Sequence, residues 1–298
     1  MNKIKLGYAC INPLLPDTKM RRCLLKNADD KRLRELIHIN LLSVLKILEY
    51  NLAKNIYLFR ISSDVIPFAS HYKNKIKWRK EFKAEFGSIK QFIKKNNMRV
   101  SMHPGQYTVL NTENPKVLEN AVNDIIYHTE FLDEITDGYE HRIILHIGGV
   151  YGDKKNSKKR FIENFNKLPI NSRKRLTIEN DEKNYNIDEV LEIAEEIDAA
   201  VVFDVLHHRI NCRDSAADIY DIIKQAHKTW RKEYGVQKIH YSQLSLTKSG
   251  SAHSETINIA EFMDFIKPLL NQRIDVMLEV KDKNISVEKI MNEYKNIF

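Results

Sequence analysis

The stretch Arg99-Val-Ser-Met-His103-Pro-Gly-Gln106-Tyr107 shows how this chain is built. Its first residues alternate apolar and polar side chains, which predicts a strand, and Pro104 with the glycine after it ends that strand. The strand therefore runs into His103, a side chain that can bind a metal ion. Gln106 and Tyr107 follow the turn, where a binding loop would present them to a ligand.

Short β-branched runs alternate with helical periodicity along the whole chain. The expected strands cover residues 4–9, 56–61, 99–103, 142–147, 175–179, 200–204, 237–242 and 275–280. Helices are expected near residues 29–54, 77–96, 115–135, 156–167, 187–197, 215–233, 257–270 and 286–297. Strict alternation requires parallel strands with right-handed crossovers, so eight such units predict a closed (β/α)8 TIM barrel in one domain, residues 1–298. An open doubly wound sheet is the alternative, but no glycine-rich fingerprint follows the first strand.

The composition indicates a globular protein without a membrane partner. Hydrophobic residues make up 43% of the 298-residue chain and charged residues 30%, and no uncharged apolar run reaches the roughly 18 residues of a membrane span. The first residues lack the apolar core of a signal peptide, so we expect a cytoplasmic protein. Cys10, Cys23 and Cys212 are scattered, which favours neither a disulfide framework nor a thiolate zinc site.

The charge balance favours a polyanionic partner. Lysine and arginine outnumber aspartate and glutamate by 48 to 40, a net charge of +8. The excess is concentrated in three runs, which are Arg21-Arg22 with Lys26, residues 73–80 around Trp78, and residues 154–160. For each run, a solvated surface without a partner is the alternative interpretation.

Metal-capable side chains recur where the predicted strands end. In a (β/α)8 barrel all these ends meet at one face, so the residues become neighbours. Imidazole and carboxylate groups bind ions such as Zn, Mn or Fe, and a carboxylate can bridge two ions. Nine candidates are too many for a single ion, with Glu179 placed centrally as a bridge. The sequence thus predicts a multinuclear site among His103, His146, Glu179, Asp204, His207, His240 and Glu279, with His71 and His253 on adjacent loops.

Several ions at one site suit phosphodiester hydrolysis, because they activate water and stabilise the leaving oxygen. Sugar isomerisation on the same fold also uses two ions, and a catalytically silent DNA-damage binding protein is a third possibility. The basic runs favour a phosphodiester substrate. Gln106 and Tyr107 would then be placed to enter a duplex where a base pair is opened.

Motifs along essentially the whole chain resemble the UV damage endonuclease family, which is similar to the endonuclease IV group in fold and metal site. They are Leu6-Gly-Tyr8-Ala with Asn12, Met102-His-Pro-Gly-Gln-Tyr107, Leu145-His-Ile-Gly-Gly149, Thr177-Ile-Glu-Asn180, Phe203-Asp-Val-Leu-His-His208, Lys238-Ile-His-Tyr-Ser242, Ala252-His253 and Met277-Leu-Glu-Val-Lys281.

The resemblance implies a DNA repair nuclease acting on damaged double-stranded DNA. It implies cleavage immediately 5′ of a photoproduct or another distorting lesion, with two or three divalent ions, Mn foremost and Zn, Mg or Co as alternatives. An abasic-site specificity of the endonuclease IV type stays open, and no membrane or protein partner is implied.

The resemblance also assigns roles to residues. One ion would be held by His103, His146 and Glu179; a second by Glu179, Asp204, His240 and Glu279; and a third by His207 and His253, with Lys238 adding a ligand if it is carboxylated. A plain salt-bridging Lys238 is the alternative. Catalytic roles fall to Glu179, Lys238 and His71, the last of these contacting phosphate. Gln106 and Tyr107 would wedge into the duplex, while Tyr8 and Asn12 would line the pocket for the damaged dinucleotide.

Overall fold

Eight parallel strands close into a barrel in the order in which they occur along the chain. The computed structural model describes residues 4–214, 217–247, 250–295 and 297–298. The strands are β1 (Ile4–Ala9), β2 (Leu58–Ile61), β3 (Arg99–Met102), β4 (Ile143–His146), β5 (Leu176–Glu179), β6 (Ala200–Asp204), β7 (Lys238–Tyr241) and β8 (Ile274–Leu278). Because β8 pairs with β1, the sheet has no open edge, and the predicted TIM barrel is confirmed.

Helices pack around this barrel. Within the described residues they are α1 (Asp30–Ala53), α2 (Trp78–Glu81), α3 (Lys83–Lys95), α4 (Pro115–Ile135), α5 (Lys154–Asn166), α6 (Ile170–Arg175), α7 (Ile187–Ile197), α8 (Val205–Ile210), α9 (Ile219–Lys228), α10 (Ile259–Ile266) and α11 (Asn284–Glu293). Asn114 caps α4 through hydrogen bonds from Lys116 and Val117, and Asn186 closes a capping box with Glu189 at α7.

The prediction of one helix after each strand is wrong in three places. The expected helix over residues 77–96 is divided at Phe82, and the short α6 precedes β5. A further short helix, α8, begins directly after Asp204, because the Asp204 carboxylate accepts a hydrogen bond from the His207 N–H at 2.7 Å. Six-residue helices are too short to show a 3.6-residue period, so the pattern did not indicate them. The predicted helix start at Ser215 lies outside the described residues.

Alternating strand residues point into the barrel and form layers. The lowest layer is charged: Arg99 forms a buried ion pair with Asp275 at 2.6 Å, and the Arg142 guanidinium lies 4.2 Å from the ring centre of Tyr234. Lys238 lies at the start of β7, next in register to Asp275. The amino-terminal end of the barrel is therefore filled with buried charged side chains, which leaves the opposite end for a site.

By length and composition alone, α1 could cross a membrane, and it is the one such helix in the described ranges. Half of its apolar window is buried inside the protein, where Leu33, Ile37 and Leu41 pack in the core. Its hydrophobicity is thus explained by packing on the barrel, which makes it weak evidence for a membrane span.

Candidate metal centre

The carboxyl ends of β3 to β8 bring together the predicted metal-capable side chains. His146 lies beside Glu179 in the β4–β5 register, and Asp204 beside His240 in the β6–β7 register. Three groups have one ligand atom per residue within 4.8 Å of one another: His103, His146 and Glu179; Glu179, Asp204 and His207; and Asp204, His240 and Glu279. These seven residues are called the cluster below.

Glu179 is the centre of the cluster. Its carboxylate is buried and lies 2.5 Å from Nδ1 of His240, 3.0 Å from Nε2 of His103 and 3.5 Å from Nε2 of His146. Burial alone would raise the pKa of Glu179, but His240 and His146 outweigh it and hold that pKa well below its ordinary range. The central side chain is therefore an ionised carboxylate facing three imidazoles.

The side chains of Asp204 and His207 both have raised pKa values. Burial, together with the nearby Glu179 carboxylate, raises the pKa of Asp204 to about 7 although His207 opposes this shift. Burial works against a charged His207, but Asp204 and Glu179 prevail and raise its pKa to about 9. Without metal ions, the excess of carboxylates thus draws protons into the cluster.

The cluster fits divalent cations. Asp204 Oδ2, His146 Nδ1 and His240 Nε2 are buried, and none of them has a hydrogen-bond partner among the described residues. Buried polar atoms are normally satisfied, so the unpartnered oxygen of Asp204 within the cluster indicates a missing partner. A set of imidazole nitrogens and carboxylate oxygens matches the ligand preferences of Zn, Mn or Fe.

Two supporting residues were missed from the sequence. Arg60, on β2, forms an ion pair with Glu279, which helps to hold the pKa of that carboxyl below its ordinary range against the effect of burial. The side chain of Asn180 donates to the Asp204 carbonyl at 3.0 Å and accepts from the Asp204 N–H at 2.9 Å. Arg60 could have been found as a charge inside an otherwise apolar strand, Leu58–Ile61.

The structure places His253 and His71 outside these three groups. The ring centre of His253 lies 6.2 Å from that of His207, so it borders the cluster. His71 stacks on Tyr72 at 4.5 Å and lines a surface pocket together with Tyr107. A ligand role for His253 and a phosphate contact for His71 stay predictions.

Lys238 is fully buried in the barrel and lies two residues before His240 on β7, so both side chains face the same side of the strand. Its Nζ has no hydrogen-bond partner among the described residues. Burial, and then the neighbouring Arg99, hold the pKa of Lys238 well below its ordinary value. In the described part of the chain, no carboxylate pairs with Lys238 Nζ, so a plain salt bridge is not observed there.

The loop after β3 has an anchored base and an exposed tip. The Thr108 hydroxyl donates to Asp124 of α4 at 2.6 Å, and the Thr108 N–H donates to the Gly105 carbonyl at 2.9 Å. Gln106 and Tyr107 lie on the tip, and Tyr107 is 71% exposed. The loop therefore presents an exposed aromatic side chain from an anchored base, an arrangement that suits a contact role.

Tyr8 and Asn12 lie in a different environment from the one expected. The Tyr8 hydroxyl donates to Asn51 of α1 at 2.6 Å and accepts from the Asn12 amide at 3.1 Å, and both residues are buried. They join β1 to α1 here. Lining of a lesion pocket by these two residues therefore stays a prediction.

Two of the three basic runs offer fewer groups for contact with a partner than expected. Trp78 is buried against Phe86 and Tyr127, so it is a core residue and not an aromatic contact. Residues 154–160 belong to α5 and not to a loop, and Lys154 and Lys158 form ion pairs with acidic residues of α7. Lys154 and Lys158 are therefore paired with carboxylates, and this run offers fewer unpaired cations to a polyanion than the sequence indicated.

The fold and the cluster together define a (β/α)8 barrel whose carboxyl-terminal face carries three groups of residues that could hold metal ions. The UV-endonuclease UvdE family model matches residues 4–298, and the chain belongs to this family.

Relatives agree along almost the whole chain. The UV DNA damage endonuclease of Clostridium perfringens (strain 13 / Type A) is 46% identical over 296 residues, which cover 99% of this chain and 71% of that protein. The UV DNA damage endonuclease of Bacillus cereus (strain G9842) is 33% identical, covering 91% of this chain and 86% of its own.

Solved structures agree with the fold. The crystal structure of SacUVDE superposes with a TM-score of 0.92 at 37% identity and covers 99% of this chain and 100% of that chain. Endonuclease IV from Thermus thermophilus gives a TM-score of 0.57 at 13% identity, covering 84% of this chain and 94% of its own, which shows a shared fold alone.

Proposed function

We propose that this protein is a metal-dependent endonuclease that hydrolyses the phosphodiester bond immediately 5′ of UV photoproducts in double-stranded DNA. The observation that carries the proposal is the cluster itself, in which three overlapping ligand groups share Glu179 and Asp204 at one face of the barrel. Membership in the UV-endonuclease UvdE family supports DNA as the substrate. The proposal extends to other distorting lesions and to abasic sites.

The cluster would hold two or three divalent ions, with Mn as the first candidate and Zn, Mg or Co as alternatives. Such ions, when bound, lower the pKa of water and stabilise negative charge on phosphate and leaving oxygens. Glu179 stays ionised at neutral pH and offers both oxygens to neighbouring ligand groups, which suits a bridging role. Asn180 holds the main chain of Asp204 in place, and Arg60 fixes the orientation of the Glu279 carboxylate.

DNA recognition would fall to the loops around the mouth. The exposed tip formed by Gln106 and Tyr107 lies on the segment that follows His103, so a wedge in the duplex would place the adjoining backbone near the cluster. His71 lines the same surface pocket as Tyr107 and would contact a phosphate there.

Lys238 would be carboxylated on Nζ and so supply one more oxygen ligand. Its buried Nζ without a partner supports this, because an unmodified ammonium in such a place would be left unsatisfied. Incubation with 13C-labelled bicarbonate should give a carbamate carbon signal in the wild-type NMR spectrum. That signal should be absent from Lys238→Met, and its absence from the wild type would leave Lys238 unmodified.

The main test is a nicking assay on a duplex that carries one cyclobutane dimer, in the presence of Mn. We expect a single cut at the bond 5′ of the dimer and no cut in the undamaged duplex. Metal analysis of the same preparation should give two or three ions per chain. A correctly folded, metal-loaded protein that leaves the dimer duplex intact would overturn the proposal.

Glu179→Gln separates a nuclease from a silent damage-binding protein. It keeps the size of the side chain but removes the central charge, so cleavage should fall by about 10³-fold or more while lesion binding persists. A duplex with an abasic site tests the endonuclease IV type of specificity in the same assay. Conversion of a pentose or hexose without nicking would favour a sugar isomerase.

A further inference from the structure

Lys283 stands out among the cations at the mouth of the barrel because of its backbone. It follows β8 and directly precedes α11, with φ of 55° and ψ of −117°. A residue other than glycine is strained in this region, and such strain is kept where the surroundings or a function require it. The unusual conformation fixes the direction in which Lys283 leaves the main chain.

The segment around Lys283 is held from both sides. The Lys281 N–H donates to the Ser254 carbonyl at 3.1 Å, and the Asp282 N–H donates to the Glu255 carbonyl at 2.9 Å. These bonds tie the loop after β8 to the loop that carries His253. Lys283 is therefore attached to a fixed part of the mouth.

The Lys283 side chain is half-buried and lies within electrostatic reach of Arg60, Cys10, Glu279 and Asp282. Asp282 itself pairs with Lys289 at 3.5 Å. His253 in turn is within reach of Lys283. This places the Lys283 ammonium beside the Glu279 end of the cluster, at the border between β8 and β1.

A counterion role does not explain this ammonium. Glu279 already has Arg60 as a direct ion-pair partner. In the described ranges, Lys283 Nζ forms neither an ion pair nor a hydrogen bond, whereas Lys281 Nζ, two residues earlier, pairs with Glu255 at 2.8 Å. A half-buried cation without a protein partner is free to bind an anion that arrives from outside.

We infer that Lys283 binds a backbone phosphate of the substrate DNA strand on the Glu279 side of the cluster. The inference rests on the proposed function for the nature of the substrate. The strand would then be gripped on two sides of the cluster, by the loop of Gln106 and Tyr107 after β3 and by Lys283 after β8. Lys283 is thus a positioning contact that fixes the register of the strand.

The test compares Lys283→Met with Lys281→Met, which removes a nearby cation that is already paired. Binding to a fluorescein-labelled duplex with one cyclobutane dimer is measured by anisotropy in EDTA across a series of NaCl concentrations. We expect Lys283→Met to weaken binding about tenfold to a hundredfold and to reduce the salt slope by about one. Lys281→Met should leave both close to wild type, and Lys283→Arg should restore most of the binding.

Metal analysis and nicking complete the test. Lys283→Met should keep the wild-type metal content, and its KM should rise. Equal effects of the two methionine variants, or a loss of bound metal in Lys283→Met alone, would overturn the inference. Failure of the proposed function has a different signature, since the wild type itself would then bind the duplex without cutting it or ignore the dimer.

Discussion

Replacing His207 by glutamine should reduce the number of protons released when metal ions bind. With pKa values of about 7 for Asp204 and about 9 for His207, the pair holds one proton between these values and a second below about 7. An ion that takes these atoms as ligands must displace the protons, so its apparent affinity rises with pH. The affinity rises with pH because both pKa values are raised, so that protons must leave before an ion can bind.

The magnitude follows from the pKa of His207. Displacing a proton held with a pKa of about 9 costs about 2.7 kcal/mol at pH 7, which corresponds to about a hundredfold weaker ion binding than at pH 9. Below about pH 7 the proton on Asp204 adds a further factor of up to about ten per pH unit.

Titration calorimetry of the ion-free protein with Mn in buffers of different ionisation enthalpy gives the proton count directly. At pH 6 the wild type should release about one proton more than His207→Gln, or more if an ion site is lost. His208→Gln is the matched control, because burial lowers the pKa of His208 and that residue lies outside the cluster. Equal proton release by wild type and His207→Gln, or affinity that does not change between pH 7 and pH 9, would refute the reasoning.

Three further predictions concern the barrel base and the loop tip. Asp275→Asn leaves the buried Arg99 charge unpaired and should lower the free energy of unfolding in urea by about 3–5 kcal/mol. Burial lowers the pKa of His141 below 6.5, so the neutral His141 contributes its full stability to the folded protein above pH 6.5. That contribution is lost as the pH falls toward the lowered pKa. His141→Gln should therefore flatten the curve of unfolding free energy against pH in this range, by up to about 1.4 kcal/mol per pH unit. Gln106→Ala with Tyr107→Ala should reduce the preference for damaged over undamaged duplex in a binding competition and leave metal content unchanged.

Each of these predictions has its own control. Asp198→Asn breaks an exposed ion pair with Arg231 and should change stability by less than about 1 kcal/mol, so a similar loss in both variants would contradict the burial argument. His141→Asn should flatten the acid slope as His141→Gln does, so an unchanged slope in both variants would contradict the assignment to His141. Loss of bound metal in the loop double variant would show that the tip supports the cluster and does not probe the duplex.

The sequence predicted the barrel and most of the cluster because both follow from local patterns. Every expected strand is present, and the residues at their ends, such as His146 and Glu179, became neighbours as the closed sheet requires. The short α8 could not be predicted from periodicity, and it moved His207 from a loop onto a helix. The burial of Trp78 was hidden in the same way, because a cation-rich surface run and one helical face with a core residue look alike in sequence.

The support of the cluster could not be read from the sequence because it depends on contacts between distant elements. Arg60 and Glu279 are 219 residues apart, and Asn180 reaches Asp204 from the end of the neighbouring strand. The environment of Tyr8 likewise depends on Asn51 of α1. Local pattern indicates which side chains end a strand, and tertiary packing decides which of them are held by a partner.

The barrel divides its tasks between strands and loops. The cluster lies at strand ends and immediately after them, and main-chain pairing positions its strand residues, such as His146 beside Glu179 and Asp204 beside His240. Proteins of this one fold carry out unlike reactions with groups placed at the strand ends. Strand ends of one architecture can therefore hold reactive groups for unlike substrates, and the choice of substrate must lie in the loops above them. In this chain those loops carry the exposed Tyr107 and the unpaired Lys283, so variants at the loops should alter DNA binding while variants at the strand ends alter metal binding.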